Sequence, residues 1–137
     1  MGSSADLNSA ISKAIADVPE CLAAGYVDVD SGLLLCIKTV DSHPAAVIDL
    51  LAAATSDLFQ GKNVLAVEQN FKKARGMDTD EHYFQEIIVN SKNLLHVFLR
   101  GAKHPNYVLC FVCRKSVNIG MALTKSRAAL PMVEMAI

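Results

Sequence analysis

Between Tyr83 and Cys113 the chain reads "YFQEIIV" (83–89), "LLHVFLR" (94–100) and "YVLCFVC" (107–113), three apolar runs of strand length. Polar links part them: Asn90-Ser91-Lys92-Asn93, and a second link containing Lys103-His104-Pro105-Asn106. Asn, Ser and Pro supply turn geometry. Links this short cannot carry a parallel crossover, which needs a dozen or more residues, so the three runs are antiparallel neighbours. A second hairpin lies upstream. "CLAAGYVDV" (21–29) and "LLLCIKT" (33–39) are rich in aliphatic and β-branched residues, with Asp30-Ser31-Gly32 as the turn between them. Gly32 suits a turn position with positive φ.

Helical periodicity fills the remaining stretches. In 5–18, Leu7, Ile11, Ala14, Ile15 and Val18 recur three or four apart and share one face. Asp6 or Ser4 can cap the start, and Pro19 lies just past the end. A second helix is expected over 44–61, with Pro44 in its first turn and Gly61 at a C′ position of positive φ. Its apolar residues (Ala46, Val47, Leu50, Leu51, Ala54, Leu58 and Phe59) cover most of the circumference, so something is expected to cover it on more than one side. "VLAVEQNFKKAR" reads as a further short helix ending at Gly76, and "MDTDEH" as an exposed loop. A closing helix over 118–135 has Asn118 as its cap and Ile119, Leu123, Leu130 and Val133 as its inner face; Pro131 is expected to kink or end it. The order helix, two strands, helix, three strands, helix makes an α+β domain over 1–137, a five-stranded antiparallel sheet with helices on both faces.

Composition narrows the function classes. At 137 residues and 52% hydrophobic, the chain is large enough for one core without a metal or disulfide staple. A net charge of −1 argues against a polyanion partner, because nucleic-acid binders carry a clustered basic surface. The basic cluster Lys72-Lys73-Ala74-Arg75 is followed at once by the acidic run Asp78 to Glu81, and a solvated face accounts for both. The start "MGSSADLNSA" has neither the basic nor the apolar region of a signal peptide. Asp6 stands where myristoylation wants Ser or Thr. No apolar stretch reaches the ~18 residues of a membrane span. The chain therefore reads as soluble and cytoplasmic, with no membrane insertion and with reduced cysteines.

The residues that could carry chemistry do not assemble into a recognisable centre. Asp28-Val29-Asp30-Ser31-Gly32 opens like a calcium loop, but counting from Asp28 puts Gly32 at the fifth position, Leu33 at the sixth and Thr39 at the twelfth. A ligand, a glycine and a glutamate are needed there. Cys110 and Cys113 form a CxxC within a strand, where residues three apart point to opposite sides. Cys21 and Cys36 read as small buried hydrophobes. His43, His82, His96 and His104 match no metal motif, although Asp80-Glu81-His82 offers metal-capable groups. No nucleophile elbow, phosphate loop or dinucleotide fingerprint occurs. No cofactor is expected. Were a small-molecule pocket present, Tyr26, His96 and Tyr107 are its best candidates.

Four stretches together resemble the roadblock family, the dynein light chain roadblock and its bacterial and archaeal relatives. They are "LNSAISKAIADVPECLAAGYVDVDSGLLLC", "AAVIDLLAAATSDLF", "EIIVNSKNLLHVFLRG" and "YVLCFVCRKSVNIGMALTKSRAAL". The segment 62–82 is longer than a minimal roadblock needs. The resemblance implies a roadblock/profilin-like fold and a homodimer joined through the second helix and third strand into a ten-stranded sheet. It also implies a non-catalytic platform for Ras-like GTPases or a motor-associated subunit; some bacterial members stimulate GTP hydrolysis by a partner. The residues independently support self-association, because an apolar edge strand left open is an aggregation site and pairing with its own copy closes it. The expected dimer interface is Val47, Leu50, Leu51, Ala54 and Leu58 on the helix, with Phe84, Ile87 and Val89 on the strand.

Overall fold

A computed structural model of the chain describes residues 4–40, 45–76, 82 and 84–137; at 4 and 45–50 it describes the backbone only. The expected Pro44 helix start, the run Asp78 to Glu81, His43 and Tyr83 lie outside these residues.

The elements follow in the order α1 (Ser4–Asp17), β1 (Cys21–Asp28), β2 (Leu33–Thr39), α2 (Ala45–Gln60), α3 (Lys62–Ala74), β3 (Glu86–Asn90), β4 (Leu94–Arg100), β5 (Tyr107–Arg114) and α4 (Ile119–Glu134). All five strands form one antiparallel sheet in the order β2-β1-β5-β4-β3. The two hairpins read from sequence are thus joined by β1 against β5, with Tyr26 opposite Leu109 and Val27 opposite Val108. In β2, Cys36 faces Tyr26 and Leu34 faces Val27, which leaves Leu35 as the extra residue of a bulge.

Alternation along the strands sends side chains to two unequal cores. Tyr26, Leu95, Val97, Leu99, Leu109 and Phe111 face α1 and α4, where they meet Leu7, Ile11, Val18 and Val133. Each large side chain buried this way contributes about 1.5–3 kcal/mol. The opposite face carries a smaller cluster, Val27, Val29 and Val108 beneath Ala52 and Phe59 of α2. Here α2 packs on β1 and β2, while α3 packs on α2.

The first hairpin turns as its residues dictate. Gly32 has φ +73, its N–H bonds the Asp28 carbonyl at 2.9 Å, and the Asp30 N–H bonds Asp28 Oδ1 at 3.0 Å. The Asp28 carboxylate therefore serves its own turn. Gly61 differs from expectation. Its φ is −58 and it stands as N-cap of α3, not as a left-handed end to α2. Its requirement is space, since a Cβ there would lie 2.5 Å from the Asp57 carbonyl oxygen. Gly76, with φ +64, takes the left-handed role after α3.

Three helix expectations change. Asp6 lies within the first turn of α1 and not ahead of it. Pro131 does not end α4, which runs to Glu134 with the Met135 N–H bonded to the Pro131 carbonyl. The inner face of α4 is Ala122, Ser126, Ala129 and Val133, whereas Ile119 is 48% exposed. Small residues face inward because they let α4 lie close to the sheet; Leu123 and Leu130 flank that contact and pack at its margin. The Asn118 side chain accepts the Met121 N–H at 2.9 Å and caps this helix as its residue type predicts.

Candidate functional site

Helix α2 has two apolar faces, and the sheet takes the less obvious one. Ala52, Thr55 and Phe59, spaced three and four apart, turn inward and are buried. Thr55 is accommodated because its hydroxyl donates to the Leu51 carbonyl at 2.9 Å. Leu51, Ala54 and Leu58 turn outward, with Leu51 50% exposed and Leu58 37% exposed. Val47 and Leu50 belong to the stretch described by backbone alone.

β3 is an edge strand whose pairing partner within the chain is β4. It begins at Glu86, so Phe84 and Gln85 of the expected strand are a lead-in. Ile87 opposes Phe98 and Val89 opposes His96, which puts both on the same side of the sheet as α2. Phe84 and Ile87 pack half-buried against the smaller core, whereas Val89 is exposed. Glu86 points to the other side and receives a two-pronged contact from Arg127 of α4 at 2.9 and 2.7 Å. That contact holds the Glu86 carboxyl below its ordinary value. Five of the eight expected interface residues (Leu51, Ala54, Leu58, Ile87 and Val89) thus flank one side of the sheet, with Phe84 at its margin.

Between α2 and the uncovered part of this face runs a groove of about 440 Å³. Leu51, Thr55 and Leu58 form one wall, Gly25 and Ile37 the floor, and His96 and Val112 the far side. Among the described residues, α2 leaves part of this face open along β1 and β2 as well as β4 and β5, and the groove lies there. His96 stacks on Phe98 at 6.3 Å, and Ser91 Oγ lies 3.4 Å from its Nε2. Burial holds the His96 imidazole below its ordinary value of 6.5. The unfolded chain then binds the proton more readily than the folded one, so stability falls as pH drops through about 6.5. Urea midpoints measured from pH 7 to pH 5 are expected to fall less steeply in His96→Gln than in the parent chain; equal slopes would assign the pH dependence to other groups.

A buried cation underpins the edge. Arg100, 4% exposed at the end of β4, is a residue that periodicity alone did not single out. Its Nε donates to the Phe84 carbonyl at 2.8 Å and its Nη1 to the Pro105 carbonyl at 2.7 Å. Nη2 reaches the Phe59 carbonyl at 3.5 Å, and the guanidinium lies 5.1 Å from the centre of the Phe59 ring. One side chain thereby joins the end of α2, the lead-in to β3 and the β4–β5 link. Burial lowers the Arg100 pKa, and the Glu68 and Asp30 carboxylates oppose that shift. Glu68 of α3 is itself 2% exposed and lies 3.3 Å from His82 Nδ1. His82 is therefore engaged by α3; its sequence neighbours Asp80 and Glu81 lie outside the described residues.

The other candidates do not converge. Tyr26 is fully buried on the α1/α4 side, edge-on to Tyr107 at 5.6 Å, while His96 faces α2. These three residues cannot line one pocket. Cys110 faces Thr55 of α2, at 3.9 Å between Sγ and Oγ1, and Cys113 faces the opposite core. Among the described residues, no helix is long and apolar enough to cross a membrane.

No protein-family model matches the sequence, and no curated protein matches it. Solved structures do. The chain is similar to the gliding protein mglB from Thermus thermophilus, with 16% identity, a TM-score of 0.72, and 99% of this chain and 92% of that chain covered. It is similar to a roadblock/LC7 domain from Streptomyces avermitilis, at 18% identity and a TM-score of 0.68, covering 95% of this chain and 96% of that one. A structure of MglB with a tetrameric arrangement matches at 18% identity and a TM-score of 0.66, covering 94% and 88%. Similarity at this identity speaks to architecture, and it agrees with the element order and sheet topology above: this chain has the roadblock fold.

Proposed function

We propose that the chain is a non-catalytic homodimeric platform that regulates a small Ras-like GTPase. The observation that carries this reading is that the α2 groove and the β3 edge, which is unpaired among the described residues, lie on one side of a roadblock sheet. Leu51, Ala54 and Leu58 leave apolar surface beside that groove, and Val89 extends it to the edge. An isologous contact satisfies both features together. β3 pairs with its own copy across a two-fold axis, and the outward face of each α2 is covered. The expected residues Val47, Leu50, Phe84 and Ile87 belong to the same proposed contact. The similarity to MglB with a tetrameric arrangement supports self-association as a property of this architecture. The paired sheet and helices would then offer a rigid surface to the partner's switch loops, which order or release with the nucleotide state.

Titration with a Ras-like GTPase encoded beside this gene, loaded with GDP or with a non-hydrolysable GTP analogue, tests the reading. One nucleotide form is expected to bind at least tenfold more tightly, about 1.4 kcal/mol of discrimination. Binding to neither form would overturn the GTPase reading while leaving the dimer to be judged separately. Turnover of GTP by the purified chain alone would replace a platform with an enzyme. The groove itself favours one second reading, a module that senses an apolar small molecule, because its volume lies within the range of ligand sites. Such a ligand would raise the melting temperature of the parent chain, and a thermal-shift screen of apolar small molecules without a hit would count against this second reading.

A further inference from the structure

We propose that Cys21 and Cys113 are a peroxide-responsive thiol pair that closes an intrachain disulfide between β1 and β5. The two residues are 92 positions apart in sequence, yet the register sets them directly opposite one another across the antiparallel pair. The flanking hydrogen bond identifies the kind of site. The Arg114 N–H donates to the Glu20 carbonyl at 3.0 Å, which places the Cys21–Cys113 pair in the non-hydrogen-bonded position of the ladder. That is the closer of the two antiparallel spacings, with Cα atoms about 4.5 Å apart and side chains drawn together. Disulfides span Cα separations of about 4.4–6.8 Å, which includes this spacing; the register shifts between Cys21 and Ala23, so β1 bends beside the pair and the bond forms at an irregular end of the ladder.

Access and reactivity are divided between the two thiols. Cys21 is half-buried, at the first residue of β1, and its Sγ donates to the Ala23 carbonyl at 3.2 Å. Cys113 is fully buried in the core beneath α1 and α4. The Cys113 thiol beside it holds Cys21 below the usual thiol range, against the opposing effect of burial. Cys113 is pushed up by the same contact and by burial, and so stays protonated. The thiolate is the species that peroxide oxidises. In the first step the Cys21 thiol gives up to solvent the proton it directs at the Ala23 carbonyl, and the resulting thiolate sulfur attacks one oxygen of hydrogen peroxide. The O–O bond breaks, Cys21 becomes a sulfenic acid, and hydroxide leaves. In the second step the Cys113 sulfur attacks the Cys21 sulfur. The S–OH bond breaks, and the Cys113 proton and the departing hydroxide form water. Two thiols lose two electrons in total and one peroxide gains them. Cys36 and Cys110 have no such partner in the register: Cys36 pairs with Tyr26, and Cys110 with Gly25 and Phe98.

The bond would tie the turn at Pro19–Glu20 to the segment that leads into α4, which Ser116 already joins by donating to Glu20 Oε1 at 2.7 Å. The test uses the full chain, reduced, treated with hydrogen peroxide under folding conditions, alkylated and analysed by mass spectrometry. Trypsin leaves Cys21 with Cys36 and Cys110 with Cys113, so further cleavage before Asp28 and after Phe111 is needed to separate them. The expected result is a monomeric mass lower by two hydrogens and one cross-linked product joining Cys21 to Cys113. Dithiothreitol reverses it, it is lost in Cys21→Ser, and it does not dominate when oxidation is carried out in urea. Sulfinic acid at Cys21 without a cross-link, disulfide-linked dimers, another pairing, or no oxidation of the folded parent chain would each overturn the proposal.

Discussion

Leu51→Asp is expected to leave a folded chain that sediments as a monomer at concentrations where the parent is a dimer. The side chain is 50% exposed in the isolated chain, so a carboxylate there meets water and costs the protomer little. In the proposed dimer the same position is covered. Burying a whole leucine contributes about 1.5–3 kcal/mol; with half of Leu51 exposed in the protomer, about half of that is lost per chain, and two-fold symmetry counts the loss twice. Weakening by about 1.5–3 kcal/mol corresponds to roughly 10–10² in Kd, before the desolvation and mutual repulsion of the two introduced carboxylates. Sedimentation equilibrium reads the mass, and circular dichroism checks that the monomer is folded. Met121→Asp, on the exposed start of α4 and away from this face, is the control and is expected to leave the dimer intact. A parent chain that is monomeric at micromolar concentration, or a Leu51→Asp chain that still dimerises, would refute the placement of the interface.

The second large effect concerns stability. Arg100→Ala is expected to lower the unfolding free energy by about 3–5 kcal/mol, the cost of removing one member of a buried polar network. The Phe84 and Pro105 carbonyls lose a charge-assisted donor, and Glu68 loses its nearby cation. The loss is a large share of a typical domain stability of about 5–15 kcal/mol. Arg100→Lys keeps the charge but not the planar fork that reaches three carbonyls, so an intermediate loss is expected. Urea denaturation measures both. A change below about 1 kcal/mol for Arg100→Ala would show that water replaces the guanidinium freely. Because Arg100 also anchors the lead-in to β3, weakened self-association is expected even under conditions where the variant is folded.

The hairpins were legible because their determinants are local. Short polar links between apolar runs permit antiparallel pairing, and Asp30-Ser31-Gly32 builds its turn from its own side chains and a positive φ. Strand β2 matches its expected bounds, as does β4, and β5 extends one residue further. Helix α1 was equally plain, because a single apolar stripe leaves no choice of inner face. Local reasoning ran out where two solutions were close in energy. Gly61 looked like a helix end, and only the approach of the Asp57 carbonyl shows that it joins two helices instead. The inner face of α4 went to small residues, which no count of large hydrophobes would select.

The candidate site divides in the same way. Sequence alone determined that α2 carries more apolar surface than one sheet contact can cover, and that a short apolar strand follows 62–82. It determined too that Cys110 and Cys113 part to opposite sides, since strand alternation requires it. Tertiary structure decided which face of α2 the sheet takes. Phe59 fits beside Phe98 with their rings 6.5 Å apart, and this turns Leu51 and Leu58 outward. It decided that β3 is an edge, that Arg100 is buried at the end of β4, and that Cys21 meets Cys113. The physical reason is common to all of these. Periodicity depends on neighbours a few residues away, whereas edge, burial and cross-strand partner depend on how distant segments are ordered in the sheet.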